Sequence, residues 1–248
     1  LDTAVRFPVR LVESGPAGGA IFSSHIAAEV GLDSVLSYDM GGTTAKVCLI
    51  DEGQPQTART FEVAREYRFL KGSGIPLRIP VIEMVEVGAG GGSIAGVDSM
   101  RRISVGPGSA GSNPGPVCYG LGGQLPTVTD ADVTLGRIDP NNFAGGSMRL
   151  DSESAADALK RSVGDLLGFS LEHAALGVSE IVDENMANAA RVHAIESGKN
   201  VDARTLVAFG GAAPIHVSRL AEKLGVDRVV IPPGAGVGSA LGFLRAPV

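Results

Sequence analysis

The sequence predicts an α/β fold, on three observations. A strand, a glycine turn, a helix and a second strand follow one another over residues 205–231. Two segments at 34–38 and 45–50 read as a hairpin, and long helical patterns fill 151–197. Strands joined through a helix cross over and lie parallel, whereas a tight turn sets its two strands antiparallel.

In chain order, Glu13-Ser14-Gly15-Pro16-Ala17-Gly18-Gly19 reads as a turn. A helix follows with Ile21, Phe22, Ile26, Ala27 and Val30 on one face, stopped by Gly31. Ser34–Tyr38 is a short strand running into Asp39-Met40-Gly41-Gly42-Thr43-Thr44, and Ala45–Ile50 alternates as its partner strand before Asp51-Glu52-Gly53. Residues 60–105 carry further strand signals, notably 79–87 ahead of Gly88-Ala89-Gly90-Gly91-Gly92-Ser93. From Ser104 to Gly123, seven Gly and three Pro occupy half of twenty positions, the composition of a long loop. Asp151–Leu167 is helical, as is a stretch from the N-cap Ser170 to about Ser197, with Gly198 closing it and Gly177 a point of interruption. Thr205–Phe209 is a buried strand, Gly210-Gly211-Ala212-Ala213-Pro214 leads into a helix ending at Leu224, and 226–231 is the last strand.

Composition narrows the function classes. The chain has 248 residues with 44% hydrophobic but only 4% aromatic content and no Trp, so its core is aliphatic. Its 35 Gly are about twice the ordinary share, without a collagen-like period. A net charge of −6 argues against a nucleic-acid surface. Two cysteines, Cys48 and Cys118, are too few for a disulfide framework or a Cys-rich zinc site. No apolar run approaches the ~18 residues of a membrane span. The first residue is not Met and both ends look cut from something longer, so a cytoplasmic fragment is expected.

The Asp39–Thr44 turn is the leading chemical candidate. Gly41 and Gly42 let successive N–H groups converge on an anion with no Cβ in the way, and the hydroxyls of Thr43 and Thr44 add donors. Asp39 would repel phosphate by itself, which points to an intervening Mg²⁺ held through water. The structural alternative is a hairpin turn in which Asp39 accepts turn N–H bonds. A second candidate follows the buried strand at Phe209: Gly210, Gly211, Ala212 and Pro214 would let an adenine or ribose lie against backbone near a helix N-terminus. Close helix–sheet packing explains the same residues. Neither a Walker A loop nor a Rossmann fingerprint is present, since no Gly-Lys-Ser/Thr occurs and the 88–93 glycines lead into a strand.

Several motifs together resemble the hydantoinase A domain, shared by N-methylhydantoinases, ATP-dependent 5-oxoprolinases and acetone-type carboxylase β subunits. They are Ser14–Gly19, Asp39–Thr43, Gly88–Ile94, Ser109–Gly111 with Pro114–Pro116, Pro126–Asp130, Glu184–Met186 and Ala208–Ala212. The resemblance covers nearly the whole chain, 1–248. It implies the actin-like, ribonuclease H-like ATPase fold: a mixed sheet, flanking helices and a Gly-rich insertion at about 60–150. In that superfamily two domains each supply one acidic glycine turn to ATP and Mg²⁺. Asp39–Thr44 would be the second, and an N-terminal domain carrying the first would precede Leu1. The implied partners are that domain, a hydantoinase B-type subunit or domain, and a small-molecule substrate, without nucleic acid or membrane. Many relatives read Asp-Ile-His near residues 83–85, where this chain has Val85, so no role for that His carries over. Glu83 and Glu86 have opposite strand parity and cannot form a carboxylate pair.

Among the remaining candidates, His25, His173, His193 and His216 show no metal-ligand spacing. His216, just inside the helix after Gly211, is expected nearest a ligand. Asp130 and Asp132 share a face if their segment is a strand, or else cap the Val133–Gly136 segment. Glu184, Asn185, Asn188 and Arg191 form a helical stripe that is either a solvated face or a site. Cys48 is expected in the core, Cys118 more exposed. Three functions stay open: ATP-driven opening of a cyclic amide such as hydantoin or 5-oxoproline, a β-type carboxylase subunit acting on a ketone enol or bicarbonate, and a non-catalytic actin-like nucleotide-binding module.

Overall fold

The computed structural model describes residues 5–11, 14–63 and 72–246. Its centre is a mixed six-stranded sheet. Strands β1 (Ser34–Met40) and β2 (Ala45–Asp51) form the expected hairpin, Met40 opposite Ala45. β3 (Gln54–Pro55) and β8 (Val85–Val87) both pair antiparallel with β2, at opposite ends of its free edge. On the other side of β1 lies β11 (Thr205–Phe209), then β12 (Arg228–Val230), each parallel to its neighbour. Glu52 and Gly53 both take positive φ in the turn before β3, the geometry that suits a tight hairpin's twist.

Strand parity sorts the two faces. Leu36, Tyr38 and Met40 join Val47, Leu49, Leu206 and Ala208 against the helices α4 (Leu171–Glu196) and α5 (Ala213–Leu224). Val35, Cys48, Ile50, Val207 and Phe209 pack on α1 (Ser14–Glu29), where Phe22 meets Phe209 edge to face at 5.6 Å. α1 crosses α6 (Gly238–Arg245) backbone on backbone: a Cβ on Gly242 would stand 1.8 Å from the Gly18 carbonyl oxygen.

The 14–19 glycine segment, expected as a turn, is the first part of α1. Its small residues serve the α6 crossing, and helical contacts there override glycine's poor helix propensity. Part of the expected 104–123 loop is also regular. β9 (Ser93–Val97) and β10 (Ile103–Ser109) form a separate two-stranded ribbon, in which Pro107 and its flanking glycines in β10 sit at a bulge. Short pairs join β4 (Thr57–Ala58) to β7 (Val81–Ile82) and β5 (Phe61–Val63) to β6 (Ile75–Leu77). Residues 126–135 hold a short helix, α2 (Val128–Thr134), rather than a strand. The 151–167 helix, α3, runs Ser152–Leu167 through a π turn at Lys160–Gly164. Gly177 leaves α4 unbroken and instead makes room for Ile103, whose Cδ1 would lie 2.4 Å from a Cβ there. Among the described residues no helix is long and apolar enough to cross a membrane.

Candidate functional site

Because β1 and β11 run parallel in register, Asp39 opposite Phe209, the two candidate glycine turns leave the sheet at the same edge. That edge, beyond the carboxyl ends of parallel strands, is where open α/β sheets place their ligands. The turns touch. Ala212 N–H donates to the Met40 carbonyl at 2.9 Å, and Gly210, at φ +92, passes so close that a Cβ would lie 2.6 Å from Asp39 Oδ1. Gly211 is exposed, Pro214 half-buried and Ala212 buried at the head of α5.

The Asp39 turn itself is braced from behind. Gly41 N–H closes the turn on the Thr44 carbonyl at 3.1 Å. Gly91 N–H donates to the Gly41 carbonyl at 3.0 Å and Gly92 N–H to the Gly42 carbonyl at 2.6 Å. Gly90 must be glycine for this approach, since a Cβ would come within 2.8 Å of three atoms of residues 41–43. Thr129 then holds the brace, its N–H and hydroxyl both donating to the Gly91 carbonyl. The carbonyls of Gly41, Gly42 and Thr44 are thus occupied. The N–H groups of Gly42, Thr43 and Thr44 donate to nothing among the described residues, and Gly42 and Thr43 are exposed. Adjacent unspent N–H groups on an exposed turn attract anions. Thr44 Oγ1 accepts from Lys46 Nζ at 2.7 Å, which brings a cation to the turn's flank.

Asp39 faces the α1 and α6 side, and Ser239 of α6 donates its hydroxyl to Asp39 Oδ2 at 2.9 Å. Burial pushes its carboxyl above the usual carboxylate range, against the downward pull of that hydroxyl and of Lys46. Among the described residues it has no ion-pair partner. A half-buried carboxylate in that state gains from a cation, so Asp39 fits the water-mediated magnesium role.

Other candidates resolve differently. His216, expected nearest a ligand, is fully enclosed one turn inside α5. Its Nδ1 lies 2.9 Å from Asp183 Oδ1 and its Nε2 3.1 Å from Asp132 Oδ2. Asp130 is the capping box of α2 with Thr127, and its carboxylate also accepts from Val117 and Cys118 N–H. Cys118 is buried rather than exposed, because those bonds tie its loop to the α2 N-terminus. Glu184, Asn188 and Arg191 belong to an ion network with Lys223 that joins α4 to α5. Glu83 and Glu86 part as expected, to Gln56 and Lys46. Sequence reasoning missed Ser239 and the 90–92 brace. Ser239 lies 200 residues from Asp39 with no spacing signal, and the glycines were legible only as a loop that lacked a helix.

Three comparisons bear on this arrangement. The hydantoinase/oxoprolinase family profile matches residues 1–248. Caprolactamase subunit alpha of Pseudomonas jessenii is 40% identical over 240 residues, covering 97% of this chain and 33% of its own length. 5-Oxoprolinase of Saccharomyces cerevisiae is 32% identical over 253 residues, covering 97% of this chain and 19% of its own. The solved nucleotide-free structure of acetone carboxylase superposes with a TM-score of 0.80 at 33% identity, over 92% of this chain and 31% of that one. The chain therefore spans a third or less of the length of these relatives.

Proposed function

The chain belongs to the hydantoinase/oxoprolinase family, and from that membership we propose that it forms one phosphate-gripping jaw of an ATP-dependent enzyme that opens cyclic amides. The observation that carries the reading is the braced turn, whose Gly42, Thr43 and Thr44 N–H groups are unspent, among the described residues, beside a carboxylate with no ion-pair partner among them. The mixed sheet, with its antiparallel hairpin beside parallel strands, supports an actin-like ATPase domain. In this reading the exposed Gly211 and the head of α5 take the nucleoside end of ATP.

In this reading residues 42–44 orient the terminal phosphates through backbone N–H groups, and Asp39 would hold hydrated magnesium, whose chemistry would be to offset charge on the phosphoryl group. Phosphorylation of the amide oxygen makes the ring carbon electrophilic; water adds there, the tetrahedral carbon expels the ring nitrogen as an amine and keeps an acyl phosphate, and a second water hydrolyses that to carboxylate and phosphate. Relatives about three to five times as long support assigning the opposing phosphate turn and the substrate pocket to segments outside these 248 residues, in this reading a preceding domain and a hydantoinase B-type partner. The isolated chain accordingly binds nucleotide weakly and turns nothing over, because a half cleft does not exclude water.

A second reading, favoured by the acetone carboxylase likeness, makes the chain part of a ketone carboxylase β subunit. Full-length protein with its partner subunit, titrated with hydantoin, 5-oxoproline, caprolactam and acetone while phosphate release is counted, separates the two. Asp39→Asn should lower phosphate release by about a hundredfold, the scale of losing one charge-stabilising group. Turnover unchanged by that substitution would remove Asp39 from the site. ATP binding with no turnover on any substrate would favour a non-catalytic module.

A further inference from the structure

The buried His216 is not used by the chemistry above, yet it sits where three elements meet. Asp132 comes from α2, whose Thr129 holds the Gly91 brace; Asp183 comes from α4; and His216 itself lies four residues beyond Ala212, which bonds the Asp39 turn. All three side chains are at most 2% exposed. Carboxylates only accept hydrogen bonds, so a neutral imidazole could satisfy one of them and would turn a lone pair on the other. The two contacts together call for the imidazolium, with its two N–H donors.

We propose that His216 is a positioning residue, a doubly bonded imidazolium that pins α5 to α2 and α4 and thereby fixes the Gly210–Ala212 turn and the Gly90–Gly92 brace around the Asp39 turn. The surrounding charges balance it. Arg137, following α2, reaches Asp132 at 3.2 Å, while Asp183 Oδ2 is buried with no partner among the described residues. From β1, Tyr38 packs nearby as a neutral phenol, its hydroxyl on the sulfurs of Met40 and Met186. The charged groups of α5 itself, Arg219, Glu222 and Lys223, pair with one another or with α4. Burial would depress the imidazole, but the two carboxylates outweigh it and raise it to about 9. An imidazole raised above its unfolded value contributes stability in full below about 6.5 and loses it as pH rises through about 9.

The proposal rests on the anion reading of the Asp39 turn only for its effect on ATP. Its test has two arms, run on the full chain. In the first, ¹⁵N-histidine and ¹³C-methionine spectra follow the His216 ring and the Met40 methyl, next to the turn, from pH 6 to 10. The expected result is a His216 imidazolium with two ring N–H groups at neutral pH, and a Met40 shift whose midpoint coincides with ring deprotonation near 9. In the second, His216→Gln, whose two N–H donors share one nitrogen and do not span carboxylates at opposite ring positions, should weaken MgATP binding about tenfold and abolish the Met40 transition. A neutral ring at pH 7, or a Met40 signal indifferent to its titration, overturns the proposal. So does a folded His216→Gln protein with unchanged Met40 shift and unchanged MgATP affinity. If that variant does not fold, the wild-type pH arm decides. Failure of the wild type to bind MgATP would instead strike the anion reading of the turn, leaving the spectroscopic arm to judge His216.

Discussion

Gly210 and Gly211 are neighbours that the structure treats in opposite ways, and substituting each by alanine exposes the difference. At Gly210 the backbone holds φ +92, and an added Cβ would stand 2.4 Å from the Met40 carbonyl oxygen and 2.6 Å from Asp39 Oδ1. Forcing alanine into that conformation costs about 1–3 kcal/mol. Relieving the contact drives the 210–212 segment off β1 and strains the Ala212–Met40 hydrogen bond, about 1 kcal/mol more. The sum, roughly 2–4 kcal/mol, is a large part of a stability that is typically ~5–15 kcal/mol. At Gly211 nothing lies within 4 Å of a built Cβ and φ is ordinary, so alanine there is neutral or stabilises by ~0.4–1 kcal/mol. Urea denaturation of the two variants measures the contrast, and MgATP titration adds a second readout, since Gly210→Ala also displaces Asp39. A stability difference between the variants below about 1 kcal/mol would refute the account of this turn.

Asp130 accepts four hydrogen bonds, from the N–H groups of Val117, Cys118 and Thr127 and from the Thr127 hydroxyl. Asp130→Ala should lose about 3 kcal/mol in denaturant melts and open the Cys118 loop to proteolysis. Arg204, nearly buried, donates to the strand carbonyls of Val35 and Ile50 and to Asp51; Arg204→Gln should cost about 3 kcal/mol by leaving that network broken. Burial pushes the Asp51 carboxyl up, but Lys199 and Arg204 outweigh it and hold it below the usual range. Its stabilisation is therefore present above the ordinary carboxylate pKa and lost as pH falls through the folded value, and the acid-side decline should be shallower in Arg204→Gln. Burial raises both thiols, Cys48 to about 12. Neither cysteine should react with a disulfide reagent at pH 8 until denaturant is added, when two equivalents appear.

How much of this was legible beforehand depended on whether a feature is local. Ser34–Met40, Ala45–Asp51 and Thr205–Phe209 announce themselves through apolar runs cut by glycine, and α5 through the Gly210–Pro214 turn that leads into it. The N-cap Ser170 was readable because a cap acts within three residues, whereas Asp151, read as the first helical residue, proves to be a cap as well. Ser14–Gly19 misled because propensity speaks for a turn while the reason for glycine, the Gly242 crossing, lies over 200 residues away. A separation of 200 residues hid Ser239 from Asp39, and separations of 84 and 33 hid His216 from Asp132 and Asp183. A histidine near a glycine turn looks like a ligand group in one dimension. Only the helix phase, which rotates it inward onto α2 and α4, shows that it serves the turn from beneath.

The brace at residues 90–92 has a further consequence. An unassisted turn is amphoteric, offering carbonyl oxygens to cations as readily as amides to anions. By capturing the Gly41 and Gly42 oxygens, the second glycine loop removes two of the turn's acceptors and shifts its balance toward donors. The charge preference of the Asp39 turn is thus biased by a segment about fifty residues away. Substituting Gly90 would alter what the turn attracts without altering any residue that faces the solvent.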